Sequence, residues 1–274
     1  MPIKFALPKG RLLRKTAAIL QKASWGVDEY HSRTGFYRPR SRKFPDVLLR
    51  VFHEKDIPIQ IAMGNYDLGI CCLDWIEELL VKYPGSDIVR VQDLAYNGGT
   101  LYAASASPPE ELFQNGATLR IASEYPNLAE SFALKKRLSR FCIFPVWGAA
   151  EVYPPENADI VLLATGDGTE LTDYGMVPVG RVLDFSAYLI ANRDSWESLD
   201  LDNIVTSICE ILTGIEKKSP VSQGTPPAAV RQRPRIMEMS PDTVRLALPD
   251  GHQQQPAVTL FNRAGIEIYG YPSE

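Results

Sequence analysis

The sequence predicts an α/β protein of two lobes that ends in a small β extension. Three observations carry this. Strand-like apolar runs alternate with stretches whose apolar residues recur at helical spacing from Ile3 to Ile215. A second set of such runs, between Tyr96 and Val177, interrupts the first and precedes a strand that returns to it. Beyond Glu216 the composition shifts to Pro, Ser, Gln and Gly, and short alternating runs follow.

Ile3 to Leu7 reads as a strand, and Leu12, Leu13, Ala17, Leu20 and Ala23 recur at helical spacing, so Pro8-Lys9-Gly10-Arg11 is a tight strand-to-helix turn. A helix start offers unpaired N–H groups and a partial positive charge, and Lys9 and Arg11 add two cations, which suits an anion. The same residues also fit a plain turn, with Gly10 permitting the bend and both cations solvated. Next comes a basic stretch holding Arg33, Arg38, Arg40, Arg42 and Lys43, either a solvated loop or a lid over phosphates.

Val47 to Phe52 reads as a strand, Ile57 to Met63 as a short helix, Asp67 to Cys71 as a strand and Leu73 to Val81 as a helix, an alternation that suggests a mostly parallel sheet. Ile88 to Leu94 and Leu101 to Ala106 are further strands, the second crossing into the other lobe. There, Leu119 to Ser123, Cys142 to Val146 and Ile160 to Leu163 read as strands and Asn127 to Leu138 as a helix. Ala187 to Ala191 returns to the first lobe, and Leu201 to Ile215 is a helix with Ile204, Ile208, Ile211 and Ile215 on one face. Residues 1–95 and 178–216 then form the first lobe, 96–177 the second, 217–234 a linker and 235–274 a β-meander. The meander rests on the alternating runs Val244 to Leu248, Val258 to Phe261 and Ile266 to Tyr269. A cleft between two lobes is a usual place for a ligand.

With 274 residues, 45% hydrophobic and 23% charged, the chain can bury a sizeable core, and a net charge of −4 gives no overall field for nucleic acid or an acidic membrane surface. No apolar run is long enough to span a bilayer and the N-terminus lacks a secretory signal, so a cytoplasmic location is expected. Cys71, Cys72, Cys142 and Cys209 show no paired spacing, which predicts reduced and mostly buried thiols. His31, His53 and His252 form no metal-ligand pattern.

Six motifs stand in order along the chain: Ala6-Leu7-Pro8-Lys9-Gly10-Arg11-Leu12, Lys55-Asp56-Ile57-Pro58, Tyr66-Asp67-Leu68-Gly69-Ile70 with Asp74, Tyr125-Pro126-Asn127-Leu128, Gly148-Ala149-Ala150-Glu151-Val152 with Pro154, and Phe185 to Asn192. Together they resemble the catalytic domain of ATP phosphoribosyltransferase, the enzyme of the first step of histidine biosynthesis. The resemblance spans about residues 3–197. It implies a two-lobed fold like the periplasmic binding proteins, a cleft for ATP and phosphoribosyl pyrophosphate (PRPP), Mg2+ with the pyrophosphate, and assembly into homo-oligomers. Short members of that family work with a partner resembling histidyl-tRNA synthetase.

The resemblance assigns Lys9, Arg11 and Arg33 to phosphates and Glu151 to orienting the ribose or the site's cations, and it marks Asp67 and Tyr125 as substrate-side positions. The chemistry agrees, because displacing pyrophosphate from ribose needs cations and amides around the departing charge and little covalent help. A second phosphate element follows Ile160 to Leu163, comprising Thr165, Gly166, Asp167, Gly168 and Thr169. The family pattern is nearer Asp-x-Val-x-Thr-Gly-x-Thr-Leu. Here its acid falls on Leu163 and its last Thr on Glu170, or the loop is slipped by two residues with Thr165 and Gly166 the matched pair. The family's Lys before Tyr-Pro-Asn is Glu124, and the C-terminal tail does not resemble the family's histidine-binding domain. Two functions follow: transfer of phosphoribose from PRPP to N1 of ATP, or a paralogue that keeps the cleft and binds a nucleotide or sugar phosphate as a regulatory subunit.

Overall fold

A computed structural model describes residues 2–31, 37–114, 116–166, 168–216, 246–249 and 251–271. The chain divides into two units, residues 1–233 and 234–274. The first unit holds two five-stranded sheets.

In the first sheet the strands are β1 (Lys4–Pro8), β2 (Leu48–Phe52), β3 (Leu68–Cys72), β4 (Ile88–Asp93) and β10 (Ala187–Asn192), in the order β2-β1-β3-β10-β4. Every residue of central β3 is buried, which is why its sequence is a continuous apolar run rather than an alternating one. β1 runs parallel to β2 and β3, but β10 is antiparallel to both β3 and β4. Four of the five strands therefore point the same way and the sheet is mostly parallel; β10 alone runs against them, because it comes back from the other sheet instead of through a crossover helix.

β5 (Gly99–Ser105), β6 (Leu119–Ser123), β7 (Phe141–Pro145), β8 (Ile160–Thr165) and β9 (Val177–Phe185) build the second sheet, in the order β7-β6-β8-β5-β9. β9 pairs along β5 as far as Phe185, so the chain returns to the first sheet at Ser186 and not at residue 178. The two crossing segments hold each other. Leu94 N–H donates to Ala187 O at 2.8 Å and Ala187 N–H to Tyr96 O at 3.0 Å.

The helices of this unit are α1 (Leu13–Lys22), α2 (Ile57–Ala62), α3 (Leu73–Lys82), α4 (Pro109–Gln114), α5 (Pro126–Lys135), α6 (Glu170–Asp173), α7 (Arg193–Ser198) and α8 (Asp202–Glu216). Ile204 and Ile208 of α8 are buried, and fully buried Trp25 donates its Nε1–H to Ser207 Oγ at 3.0 Å, pinning α8 to the turn after α1. α3 and α5 come from different sheets. Glu78 on α3 accepts from the N–H groups of Asn127 and Leu128, both at 2.9 Å, and so caps the free amides at the start of α5. Two of the four thiols, Cys71 and Cys72, are buried, but Cys142 is exposed because β7 is an edge strand. No described helix is long and apolar enough to cross a membrane.

In the second unit Val258 to Phe261 is not a strand. It lies within a helix, α9 (Gln254–Arg263), whose residues are all at least partly exposed. Four residues of alternation fit either period, and the helix continues through flanking residues that carry no apolar signal. Leu246 to Leu248 and Ile266 to Tyr269 carry no strand, so the expected β-meander is not formed among the described residues. Val244 and residues 217–234 lie outside them.

Candidate active site

Both sheets contribute to one corner of the first unit. β1 ends at Pro8, Lys9 N–H donates to Phe52 O at 2.8 Å, and the chain turns through Gly10 at φ +79° into a short 3-10 helix, Gly10–Leu12, that leads into α1. A β-carbon on Gly10 would meet no atom within 4 Å, so the glycine is there for its dihedral and the space beside it is open. Lys9 leaves the turn with Nζ 5.1 Å from the centre of the Tyr37 ring.

Arg11 leaves it toward two carboxylates. Its Nε donates to Glu54 Oε1 at 2.7 Å and its Nη2 to Asp74 Oδ2 at 2.5 Å. Glu54 sits in the turn after β2, and Asp74 in the first turn of α3, where its Oδ1 also accepts from Trp75 N–H at 2.8 Å. Asp74 is fully buried and Glu54 is 8% exposed. Burial works against the charged guanidinium, but Asp74 and Glu54 outweigh it and hold Arg11 protonated beyond the ordinary arginine range. For Glu54 burial dominates and raises the carboxyl, with Arg11 opposing.

The second sheet closes over this pair. Tyr125, between β6 and α5, donates its hydroxyl to Asp74 Oδ2 at 2.9 Å and packs its ring 4.5 Å from that of Trp75. Phe185, at the end of β9, lies 5.4 Å from the guanidinium of Arg11. With its side chain 33% exposed, Arg11 still presents part of the guanidinium to solvent.

The glycine loop reaches the same corner through that phenylalanine. A β-carbon on Gly99 would stand 2.5 Å from Thr165 O and 2.8 Å from the Phe185 ring, so Gly99 lets the end of β8 close against Phe185. Thr165 is 4% exposed, and its Oγ1, like Glu54 Oε2, is buried with no hydrogen-bond partner. Gly166 is exposed, and its N–H donates to Glu170 Oε2 at 3.3 Å. Gly168 has φ +86° and packs on the Tyr102 ring, while Thr169 accepts from Thr172 Oγ1 at 2.6 Å through its carbonyl.

Arg11 and Tyr125 thus meet on Asp74 Oδ2, while Thr165 reaches the Phe185 ring beside Arg11 through Gly99, and Gly166 follows it into the loop. Glu151 lies in the 3-10 helix Ala150–Val152 after β7, close enough to Glu124 to raise its carboxyl. Burial is the larger cause of that rise, and Arg11 and Lys55 oppose it. Asp67 is not at this corner. It precedes β3, at the opposite end of the strand from Asp74, and holds β1 to α7 by accepting from Lys4 N–H and Ser195 Oγ, both at 2.7 Å. Arg33 and Asp167 lie outside the described residues.

Glu54, Phe185 and Trp147 are neighbours that the sequence reading left without a role. Lys55 Nζ stands 4.5 Å over the Trp147 ring. Their signal is adjacency, since Glu54 precedes Lys55, Phe185 begins the Phe185 to Asn192 motif and Trp147 precedes Gly148. A cavity of about 420 Å³ lies elsewhere, lined by Lys15, Lys22, Leu94 and Cys209 beside α1 and α8, and none of the site residues lines it.

Comparison with known proteins places the chain among its relatives. Residues 53–214 match the family model described as HisG: ATP phosphoribosyltransferase. An ATP phosphoribosyltransferase of Nitratidesulfovibrio vulgaris is 30% identical over 207 residues, covering 72% of this chain and 66% of that protein, so the chain spans about two thirds of that relative's length. One from Thermococcus gammatolerans is also 30% identical, over 217 residues, covering 77% of this chain and 98% of that protein. A solved structure titled as the ATP phosphoribosyl transferase (HisG:HisZ) complex from Thermotoga maritima shares the fold, with a TM-score of 0.63 at 21% identity over 78% of this chain and 98% of that one.

Proposed function

Because the chain belongs to the ATP phosphoribosyltransferase family, we propose that it transfers phosphoribose from PRPP to N1 of ATP and releases pyrophosphate. One observation carries this reading: a part-exposed, permanently charged Arg11 stands between two buried acids at a corner where Thr165 Oγ1 and Glu54 Oε2 are buried without partners. Buried polar atoms of this kind call for a ligand or an ordered water.

In the reaction the lone pair of adenine N1 forms a bond to the anomeric carbon of PRPP as the bond from that carbon to the pyrophosphate oxygen breaks. Pyrophosphate leaves with the electron pair, and the anomeric carbon inverts. Lys9 and Arg11 neutralise the departing charge from the first turn, and the Thr165 hydroxyl and loop amides take the 5′-phosphate. Glu54 and Asp74 fix the plane of the guanidinium so that its free edge faces the cleft, while Glu151 accepts from ribose hydroxyls. Magnesium enters as part of the PRPP complex. The carboxylates of Glu124 and Glu151 fit a metal-bearing pyrophosphate better than a bare one. Assembly into a homo-oligomer belongs to the same proposal, as does a partner resembling histidyl-tRNA synthetase, in line with a structural neighbour titled as a HisG:HisZ complex.

The test is mass spectrometry of ATP incubated with PRPP, magnesium and the protein, alone and with such a partner. A phosphoribosyl adduct of ATP is expected. Its absence in both mixtures, with PRPP still bound, would instead make the chain a binding subunit.

A further inference from the structure

Trp147 is 84% exposed in a chain that buries Trp25 completely. The backbone holds it there. Gly148 at φ +128° and Ala149 at φ +50° follow it, both in the left-handed region, and the second carries a β-carbon that disfavours such a dihedral. The loop comes from the end of β7 in the second sheet, yet the cation over the ring, Lys55, comes from the turn after β2 in the first, 4.5 Å from the ring centre. Lys55 adjoins Glu54, which holds Arg11. The indole contact and the Arg11 pair are therefore made by consecutive residues of one turn. Glu124 Oε1 lies 4.0 Å from where a β-carbon on Gly148 would stand, so a hydrogen-bond acceptor sits beside the loop that carries the ring.

We propose that Trp147 is the stacking platform for the adenine ring of ATP, with Lys55 turning from the indole to the nucleotide's phosphates. This rests on the transferase reading above. A flat heteroaromatic ring recovers the exposed indole surface by stacking, and its anionic tail compensates Lys55 for the aromatic contact it gives up. A cationic or purely aliphatic ligand would displace Lys55 and offer it nothing. Glu124 accepts from a ring amino group of the kind adenine carries.

Calorimetric titration of the full chain with magnesium-ATP, inorganic triphosphate and magnesium-PRPP tests this. Trp147→Ala should weaken ATP about tenfold, the size of one lost base–aromatic stack, and leave triphosphate and PRPP unchanged. Trp147→Phe, which keeps a flat ring, should recover most of the loss. Thermal melts check that both variants are folded. ATP binding by Trp147→Ala at wild-type affinity would overturn the proposal and leave the indole as a contact for a partner subunit. Equal weakening of ATP and triphosphate would overturn it too, since the ring would then only prop the cleft. Those two results leave the transferase reading intact, whereas a wild-type chain that binds neither ATP nor PRPP removes both.

Discussion

Arg11 reaches Asp74 at 2.5 Å, across 63 residues of sequence, and Asp74 is fully buried. A side chain expected to face phosphates is therefore first a structural cation. The two roles are compatible because the guanidinium has five donors and the acids take only some of them. Arg11→Met should cost about 3 kcal/mol of stability, since it leaves two carboxylates buried and unpaired. Chemical denaturation of Arg11→Met, Asp74→Asn and the double variant measures this, and the double variant should lose less than the sum of the singles.

Glu124 gives a pH signature. Burial and Glu151 raise its carboxyl above the ordinary glutamate value of 4.5. An acid of this kind takes up its proton more readily in the folded chain, so the folded state loses stability as pH climbs through the interval between the ordinary and raised values. Glu124→Gln should match the wild type below that interval and become the more stable protein above it. Melting curves from pH 4 upward read the difference, and parallel curves would count against the placement of Glu124.

Glu170 occupies an amide that a phosphate would use, Gly166 N–H, at 3.3 Å. Glu170→Thr removes the competing acceptor and its negative charge together. PRPP affinity should rise about five- to tenfold, as a like charge beside an anion is relieved at partial solvent exposure. Calorimetry measures this, and unchanged affinity would mean that the sugar phosphate sits elsewhere.

Gly99 is a packing test of the same corner. Its β-carbon would fall 2.5 Å from Thr165 O, a strand carbonyl that can move only by shifting the backbone. Gly99→Ala should destabilise the chain by about 2 kcal/mol or more through overpacking. It should also weaken PRPP more than ATP, because the displaced neighbour is Thr165.

Much of this fold is legible from apolar runs, and the exceptions have physical reasons. β1, β3 and β10 are buried in the sheet interior, so their sequences are continuously apolar. β9 is an edge strand interrupted by Pro178, Gly180, Arg181 and Asp184, with only Val179 and Phe185 buried, and it carries no clear period. Strand direction also hides function. Asp67 and Asp74 lie within one short stretch of sequence, yet β3 separates them, leaving one at Lys4 and the other at Arg11. The cations of the first turn are readable from sequence, whereas Glu54, 43 residues from Arg11, is paired with it only by folding.

Pyrophosphate release on mixing the chain with ATP, PRPP and magnesium decides the matter, with Lys9→Ala measured beside the wild type. Lys9 is a suitable probe because its Nζ touches the Tyr37 ring and has no carboxylate partner among the described residues. Release that requires both substrates and falls about tenfold or more in Lys9→Ala is expected. No release from the wild type, alone or with a histidyl-tRNA-synthetase-like partner, or equal release from both proteins, would contradict a transferase whose first turn neutralises the leaving group.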